Sequence, residues 1–465
     1  MDKIVFGTDG WRAIIANEYT VYNVARVSTA VATWLLAKKE VPKVVIGYDC
    51  RFGGKLFAET TAKVFNYYGI TTILSTGIVS TPMVSLATLN NKADMGIVIT
   101  ASHNPPEYNG YKLKGSYGGP LIESEVKEVE ALIPDYLDIE LSTLLLTTNS
   151  YQDLQKMYVS YVQNKFDIPA IQDSRFNWAY DAMYGAGQFA MRDLFPEITF
   201  LHCEHNPSFE GIAPEPLHKN LLELSELIQL AENIDCAFAT DGDADRIGLY
   251  DGKGRFVDSH HIMLLLIKYL HKDKGLNGKI VTAFSASSRI EKLCKIYNLP
   301  YEVVKIGFKY IAPYFLVEDV LLGGEESGGI AVKGHIPERD GIWSGLLLWE
   351  AMAKRGKSLA DLIDEVYALV GSFAYDRADI QVSKEQKSKV LALCKSTKGV
   401  AQIGEYKVLK MENLDGFKYF VAPDTWIMLR ASGTEPVLRI YAEGKDAEEV
   451  QKLLQAAKET FLNTL

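Results

Sequence analysis

Two short segments of this chain carry residue types that could together move a phosphoryl group. The first, Thr100-Ala101-Ser102-His103-Asn104-Pro105, follows the apolar run Met95-Gly96-Ile97-Val98-Ile99. That run reads as a buried strand, because short β-branched stretches suit a pleat covered on both faces. Pro105 and Pro106 stop the strand, leaving Ser102 at its carboxyl end, where open α/β sheets present their ligands. The second segment, Asp241-Gly242-Asp243-Ala244-Asp245-Arg246, places three carboxylates at every other position after Cys236-Ala237-Phe238-Ala239-Thr240. In extended geometry alternate residues face one way, so Asp241, Asp243 and Asp245 can converge on a single cation. Oxygen-only donors select a hard ion, and Mg²⁺ is preferred when a phosphate supplies a further ligand. An EF-hand is excluded, since no glutamate occupies the twelfth loop position. A solvated acidic turn is the plainer alternative, but three crowded carboxylates repel unless a cation relieves them. Arg246, next in the chain, can direct its fork at a phosphoryl oxygen. A lone serine after a strand more simply caps a helix, and no Gly-x-Ser-x-Gly elbow supports a hydrolase triad. Serine and carboxylate cluster together point to covalent phosphoryl chemistry.

Two further loops have the composition of a sugar-phosphate cradle. Gly323-Gly324-Glu325-Glu326-Ser327-Gly328-Gly329 offers close backbone approach and acceptors for hydroxyls. Arg430-Ala431-Ser432-Gly433-Thr434-Glu435-Pro436, with Arg439 beyond, combines arginine, two hydroxyls and a glycine amide, which suits a phosphate held without being transferred. A surface turn explains either loop equally well when it is taken alone.

The elements that must position these loops alternate along the chain. Strands are expected at 43–48, 71–75, 177–181, 198–202, 234–240, 279–283, 301–304 and 320–323, with helices at 55–68, 259–271 and 287–297. This βαβα order predicts sheets with helices on both faces. The pattern restarts near Lys43, Asn177 and Lys279, which suggests three related α/β units, and residues 138–149 read as a connector into the second. The tail differs. Strands at 378–382, 416–422, 426–429 and 438–442, with helices at 384–396 and 447–462, predict an α+β domain from about Gly371. A chain of 465 residues exceeds one core and fits three or more domains. The net charge of -10 argues against nucleic acid as a partner. No stretch approaches the ~20 apolar residues of a membrane span, and the amino terminus lacks a signal-peptide run. Five dispersed cysteines fit a reducing compartment, so a cytoplasmic protein is expected.

In this order the motifs resemble the α-D-phosphohexomutase family over nearly the whole length, beginning with Phe6-Gly7-Thr8-Asp9-Gly10-Trp11-Arg12. The resemblance implies three consecutive α/β domains with mixed sheets plus a C-terminal α+β domain, heart-shaped around a central cleft. The domains would be 1–150 with the phosphoserine, 151–256 with the metal, 257–370 with the sugar loop and 371–465 with the phosphate loop. It implies Ser102 as the phosphoserine and Mg²⁺ on Asp241, Asp243 and Asp245, with a Ser102 phosphoryl oxygen as another ligand. A hexose 1,6-bisphosphate is then intermediate and activator, and a small phosphosugar is the partner of a monomeric or dimeric enzyme. Thr8, Arg12, His103, Lys112 and Arg246 match positions near the reacting phosphate, and the general acid and base among them stay open. Arg430, Ser432, Gly433 and Thr434 match the grip on the other phosphate. Glu325 and Ser327 match the pair that reads sugar O3 and O4, while Lys309 and Arg339 match basic ligand positions. Gly329 lowers the mannose reading and Ile306 weakens the glucose one. Glucose is favoured as the hexose, with mannose and glucosamine as alternatives. A phosphatase or a non-catalytic binder are rivals of another class.

Overall fold

A computed structural model describes residues 3–7, 9–147, 149–395, 400–431 and 437–462. They gather into two compact units, Met1–Lys279 with Gly307–Leu362, and Ile280–Ile306 with Ile363–Leu465. Among the described residues no helix is long and apolar enough to cross a membrane. All five cysteines are buried free thiols, packed as small hydrophobes.

The first unit opens with a seven-stranded mixed sheet. Its order is Trp11–Ile14, Tyr108–Gly115, Met95–Ile99, Lys43–Tyr48, Thr71–Ser75 and Asn149–Gln152, with Gly119–Pro120 paired to Tyr108–Gly115. Lys43–Tyr48 runs parallel to both neighbours, and Tyr108–Gly115 runs antiparallel to Met95–Ile99. Met95–Ile99 is buried along its whole length, as its unbroken apolar run requires. The helix Val21–Leu36 starts at Thr20, whose side chain accepts from the Asn23 N–H, and lays Val24, Val27, Val31 and Leu35 into this core. The expected connector ends as a strand: Asn149–Gln152 pairs with Thr71–Ser75 at the sheet edge.

A second mixed sheet runs Phe256–Val257, Ile247–Asp251, Cys236–Thr240, Trp178–Asp181, Thr199–Leu201. Cys236–Thr240 is parallel to Trp178–Asp181 and antiparallel to Ile247–Asp251. The unit also holds the antiparallel pair Val320–Gly324 and Ile330–Val332, and the helix Gly341–Arg355, whose Asp340 cap accepts from the Trp343 N–H at 2.9 Å.

In the second unit a five-stranded antiparallel sheet runs Ala374–Gln381, Val437–Gly444, Thr425–Ala431, Phe417–Ala422, Lys410–Glu412. Helices Lys384–Lys395 and Ala447–Leu462 pack on it through Val390, Leu453, Ala457 and Phe461. Strand neighbours strand here, as the α+β tail predicts. Lys279–Ala283 and Tyr301–Val304 pair in parallel.

Candidate active site

Three hairpin tips of the first unit carry the reactive side chains. Residues 100–107 link Met95–Ile99 to Tyr108–Gly115, residues 241–246 link Cys236–Thr240 to Ile247–Asp251, and residues 325–329 link Val320–Gly324 to Ile330–Val332. Antiparallel neighbours bring each loop back on itself, which concentrates polar groups at one end of a sheet.

Ser102 is buried, with a backbone φ of 53° in the left-handed region. Such a conformation is uncommon for serine and persists only where its surroundings fix it. The fixing is visible. The Ser102 N–H donates to Thr100 Oγ1 at 2.9 Å, and Thr100 Oγ1 donates to Asp49 Oδ2 at 2.5 Å. Arg51 Nη2 donates to the Ser102 carbonyl at 2.7 Å and to that of Asn104, while Nη1 donates to the carbonyls of Pro105 and Tyr108. Gly242 lies so close that a Cβ there would stand 2.5 Å from the Ser102 carbonyl oxygen. The Ser102 hydroxyl donates to Asp241 Oδ2 at 2.7 Å and lies 3.3 Å from His103 Nδ1.

The three aspartates meet, though by a different geometry from the extended alternation their spacing suggested. The strand ends at Thr240, and a tight turn with Ala244 at φ 57° reverses the chain. Asp241 Oδ1 accepts from the N–H groups of Asp245 and Arg246 at 2.9 and 3.0 Å, which curls the loop around it. One oxygen from each carboxylate lies within 4.8 Å of the other two. Asp243 Oδ1 and Asp245 Oδ1 are buried with no hydrogen-bond partner, an arrangement that is unfavourable unless a cation joins it. Burial and then the charges of Asp243 and Asp245 push the Asp241 carboxyl well up. Hard oxygen donors, two of them unsatisfied, fit Mg²⁺.

A buried charge network backs the triad. Lys112 Nζ lies 2.8 Å from Asp9, 2.8 Å from Asp243 and 3.0 Å from Asp245. Arg339 pairs with Asp9 and, at 2.7 Å, with Asp245; Lys114 pairs with Glu338 at 2.7 Å. Burial alone would lower the Lys112 pKa, but Asp243, Asp245 and Asp9 outweigh it and drive it up, so the ammonium stays charged. A resting general base would need the opposite shift. Burial and the cations Arg246, Arg12 and Lys112 hold His103 well below the usual imidazole range. Arg12 Nη1 donates to Asn104 Oδ1 at 2.7 Å, and Arg246 pairs with Glu215 at 3.2 Å.

On the third tip Glu325 is buried and Ser327 half-buried. Burial, partly offset by Arg339, lifts the Glu325 carboxyl to about 7. The tip is tied to the aspartate loop by the Ile247 N–H to Gly328 carbonyl bond at 3.1 Å. A Cβ at Gly329 would meet Arg339 Cδ at 2.5 Å, so residue 329 and Arg339 share one space. Lys309 pairs with Glu123 at 3.2 Å.

In the second unit Arg430 and Arg439 stand directly opposite on neighbouring antiparallel strands. Like charges so placed repel. Asp415 at 3.3 Å from Arg430 and Asp379 at 3.9 Å from Arg439 compensate in part. The expected site residues Thr8, Ser432, Gly433 and Thr434 lie outside the described residues. The sequence reading overlooked Asp9, Asp49, Arg51, Thr81, Lys114 and Glu338. Asp9 and Glu338 were within reach, since each adjoins or shares a motif with a residue already singled out.

Comparison with known proteins bears on this geometry. Four families match in chain order: phosphoglucomutase/phosphomannomutase alpha/beta/alpha domain I over residues 3–138, domain II over 156–254, domain III over 258–370 and the C-terminal domain over 387–460. A phosphoglucomutase/phosphomannomutase of Thermococcus kodakarensis is 30% identical over 460 residues, covering 97% of each chain. This chain belongs to the phosphoglucomutase/phosphomannomutase family. Members of that family, the phosphohexomutases, are isomerases of carbohydrate metabolism, and the chain is an enzyme of this kind. A phosphoglucosamine/phosphogalactosamine mutase of Sulfurisphaera tokodaii is 31% identical over 464 residues, 98% of each chain. A solved structure from Thermus thermophilus, described as a candidate phosphomannomutase, is 33% identical with a TM-score of 0.86 over 99% of both chains.

Proposed function

We propose that this phosphohexomutase interconverts hexose 1-phosphate and hexose 6-phosphate through a phosphoserine at Ser102 and a hexose 1,6-bisphosphate. The observation that carries the reading is the Ser102 hydroxyl hydrogen-bonded to one carboxylate of a buried aspartate triad whose other two members each present an unsatisfied oxygen. Asp241, Asp243 and Asp245 would hold Mg²⁺, which when bound neutralises charge on a phosphoryl group and helps align it. Ser102, held in its left-handed conformation by Arg51 and the Asp49–Thr100 pair, presents the group to a sugar hydroxyl at the hairpin tip. The phosphoryl group leaves Ser102 Oγ for the oxygen of that hydroxyl, which gives up its proton as Ser102 Oγ gains one, and after turning over the bisphosphate returns its other phosphate to Ser102 with the proton transfer reversed. Arg12 and Arg246 supply donors for equatorial oxygens, and Lys112, engaged by Asp9, Asp243 and Asp245, adds its positive charge; none of the three acts as a base. His103, 3.3 Å from Ser102 Oγ, is the neighbour positioned to exchange a proton with it.

Glu325 and Ser327 are proposed to read the sugar hydroxyls, with Lys309 and Arg339 beside them. Arg430, Ser432, Gly433, Thr434 and Arg439 would hold the phosphate that is not reacting, and Thr8 would add a donor at the one that is. The Arg430–Arg439 opposition supports an anion there, since a phosphate relieves their repulsion. The domain limits 1–150, 151–256, 257–370 and 371–465 fit one motif per domain. Glucose is the favoured hexose, from the Gly-Glu-Glu-Ser-Gly loop and Gly329. The Thermococcus and Sulfurisphaera relatives give mannose and glucosamine weight as alternatives. A cytoplasmic location accords with five buried free thiols.

The test is ³¹P NMR with Mg²⁺, a trace of hexose 1,6-bisphosphate, and glucose, mannose and glucosamine 1-phosphates offered separately. Conversion of a 1-phosphate to a 6-phosphate signal supports the mutase, and the fastest sugar identifies the substrate. Release of inorganic phosphate instead would assign a phosphatase.

A further inference from the structure

Asp243 is held by two donors that arrive from different elements. Lys112 Nζ, on the strand Tyr108–Gly115, reaches Asp243 Oδ2 at 2.8 Å, and Thr81 Oγ1 donates to the same oxygen at 2.5 Å. Thr81 is fully buried and opens the helix Thr81–Asn90, whose preceding Ser80 caps it by accepting from the Met83 N–H at 3.3 Å. Its backbone N–H, which has no partner within the helix, donates to the Asp243 carbonyl at 3.0 Å. One residue thus grips Asp243 at both main chain and side chain.

Lys112 by itself does not fix the Asp243 carboxylate, because its ammonium is shared among Asp9, Asp243 and Asp245. Thr81 supplies the directional bond. Its hydroxyl is committed to one direction by full burial and by the bond to Asp243 Oδ2. With Oδ2 occupied by both donors, Oδ1 is the oxygen of Asp243 left without a partner. We propose that Thr81 is a positioning residue for the divalent cation: its hydroxyl locks the rotation of Asp243 so that Oδ1 faces the other two aspartates. This inference rests on the reading of Asp241, Asp243 and Asp245 as the cation site. Partners of metal-bound carboxylates act in this way, and their loss weakens metal affinity about 10- to 100-fold.

The experiment titrates Mn²⁺ into the full-length protein and counts free Mn²⁺ by electron paramagnetic resonance. Intact mass confirms one phosphorylation state of Ser102 throughout. Thr81→Val replaces the hydroxyl by a methyl of similar size and keeps the backbone bond. It is expected to weaken Mn²⁺ binding by about tenfold or more, with Thr81→Ala following it, while Thr81→Ser stays within about threefold of wild type. Near-UV circular dichroism in EDTA, unchanged across the set, confirms that the fold is retained. Wild-type affinity in Thr81→Val or Thr81→Ala overturns the proposal, and so does equal weakening in Thr81→Ser, which would make packing the cause. Asp241→Asn separates the two levels of the argument. If it binds Mn²⁺ like wild type, the aspartate site itself is wrong and Thr81 falls with it.

Discussion

Replacing Arg51 by methionine removes the residue on which the Ser102 loop is built. Its guanidinium is fully buried and donates to four carbonyls, those of Ser102, Asn104, Pro105 and Tyr108, at 2.5 to 3.0 Å. Its Nε lies 3.5 Å from Asp49, which is equally buried. Removing one member of a buried ion pair costs about 3–5 kcal/mol, because the other charge is left without a counterion. Each carbonyl left without a donor adds about 1–3 kcal/mol where water does not replace it. These terms overlap and do not add in full, so a loss of at least about 3 kcal/mol is expected. For a unit of this size that is a fall of on the order of 5 °C in the first thermal transition. The penalty depends on pH with a defined sign. Burial lifts the Asp49 carboxyl to about 6, against the lowering by Arg51 and the Thr100 hydroxyl. A carboxyl raised above its unfolded value stabilises the fold when protonated, and that contribution is lost as pH rises through the folded pKa. Without Arg51 the carboxyl rises further, so the Arg51→Met deficit is larger at pH 8 than at pH 5. Asp49→Asn in the same chain removes the stranded charge and recovers part of the loss. Calorimetry of the single and double variants at both pH values measures each quantity. A deficit below about 1 kcal/mol, or one independent of pH, would refute the reasoning.

Other expectations concern the sugar loop and the second unit. Glu325, lifted to about 7, offers sugar hydroxyls two charged acceptor oxygens only when ionised; KM for the sugar phosphate rises as pH falls through about 7, and Glu325→Gln loses that limb. A KM profile of the same shape in both enzymes removes Glu325 from sugar recognition. Arg430→Ala raises KM for monophosphate and bisphosphate together and releases more bisphosphate per turnover, as coupled assays will report; unchanged constants would count against the anion site. Lys418 is buried over the Trp426 ring, donates to the carbonyls of Phe284 and Ala286, and is lowered by burial to about 8. The unfolded chain keeps that proton to a higher pH, so stability rises between pH 8 and 10 more steeply in wild type than in Lys418→Met. Parallel melting curves at those pH values would contradict this.

Parallel strands such as Lys43–Tyr48 and Met95–Ile99 were legible because each is a short apolar run covered on both faces, whereas the polar Asn149–Gln152 was not. Nor was Tyr108–Gly115. In its sequence Tyr-Asn-Gly-Tyr-Lys-Leu-Lys-Gly only Tyr111 and Leu113 enter the apolar core, while Lys112 and Lys114 are buried by pairing with carboxylates rather than by hydrophobic contact. Periodicity rules have no term for a buried charge whose partner is more than a hundred residues away. Thr81 and Arg51 were hidden because their roles depend on partners brought near only by the fold, Asp243 and four loop carbonyls. The aspartate triad was visible from spacing, yet the turn at Ala244, not extended alternation, brings the three together. Arg339 was singled out as a basic ligand position, but its ion pairs with Asp9 and Asp245 were not visible from sequence.

The central claim is that phosphate resides on Ser102 and leaves it for the sugar. Intact-mass spectrometry of the protein after brief exposure to glucose 1,6-bisphosphate and Mg²⁺, followed by excess glucose 1-phosphate, tests it most directly. A gain of one phosphate mapped to Ser102 is expected, exchanging with sugar within a turnover and absent in Ser102→Ala, which is folded and inactive. Turnover by Ser102→Ala at the wild-type rate, or phosphate carried on another residue, would contradict the account.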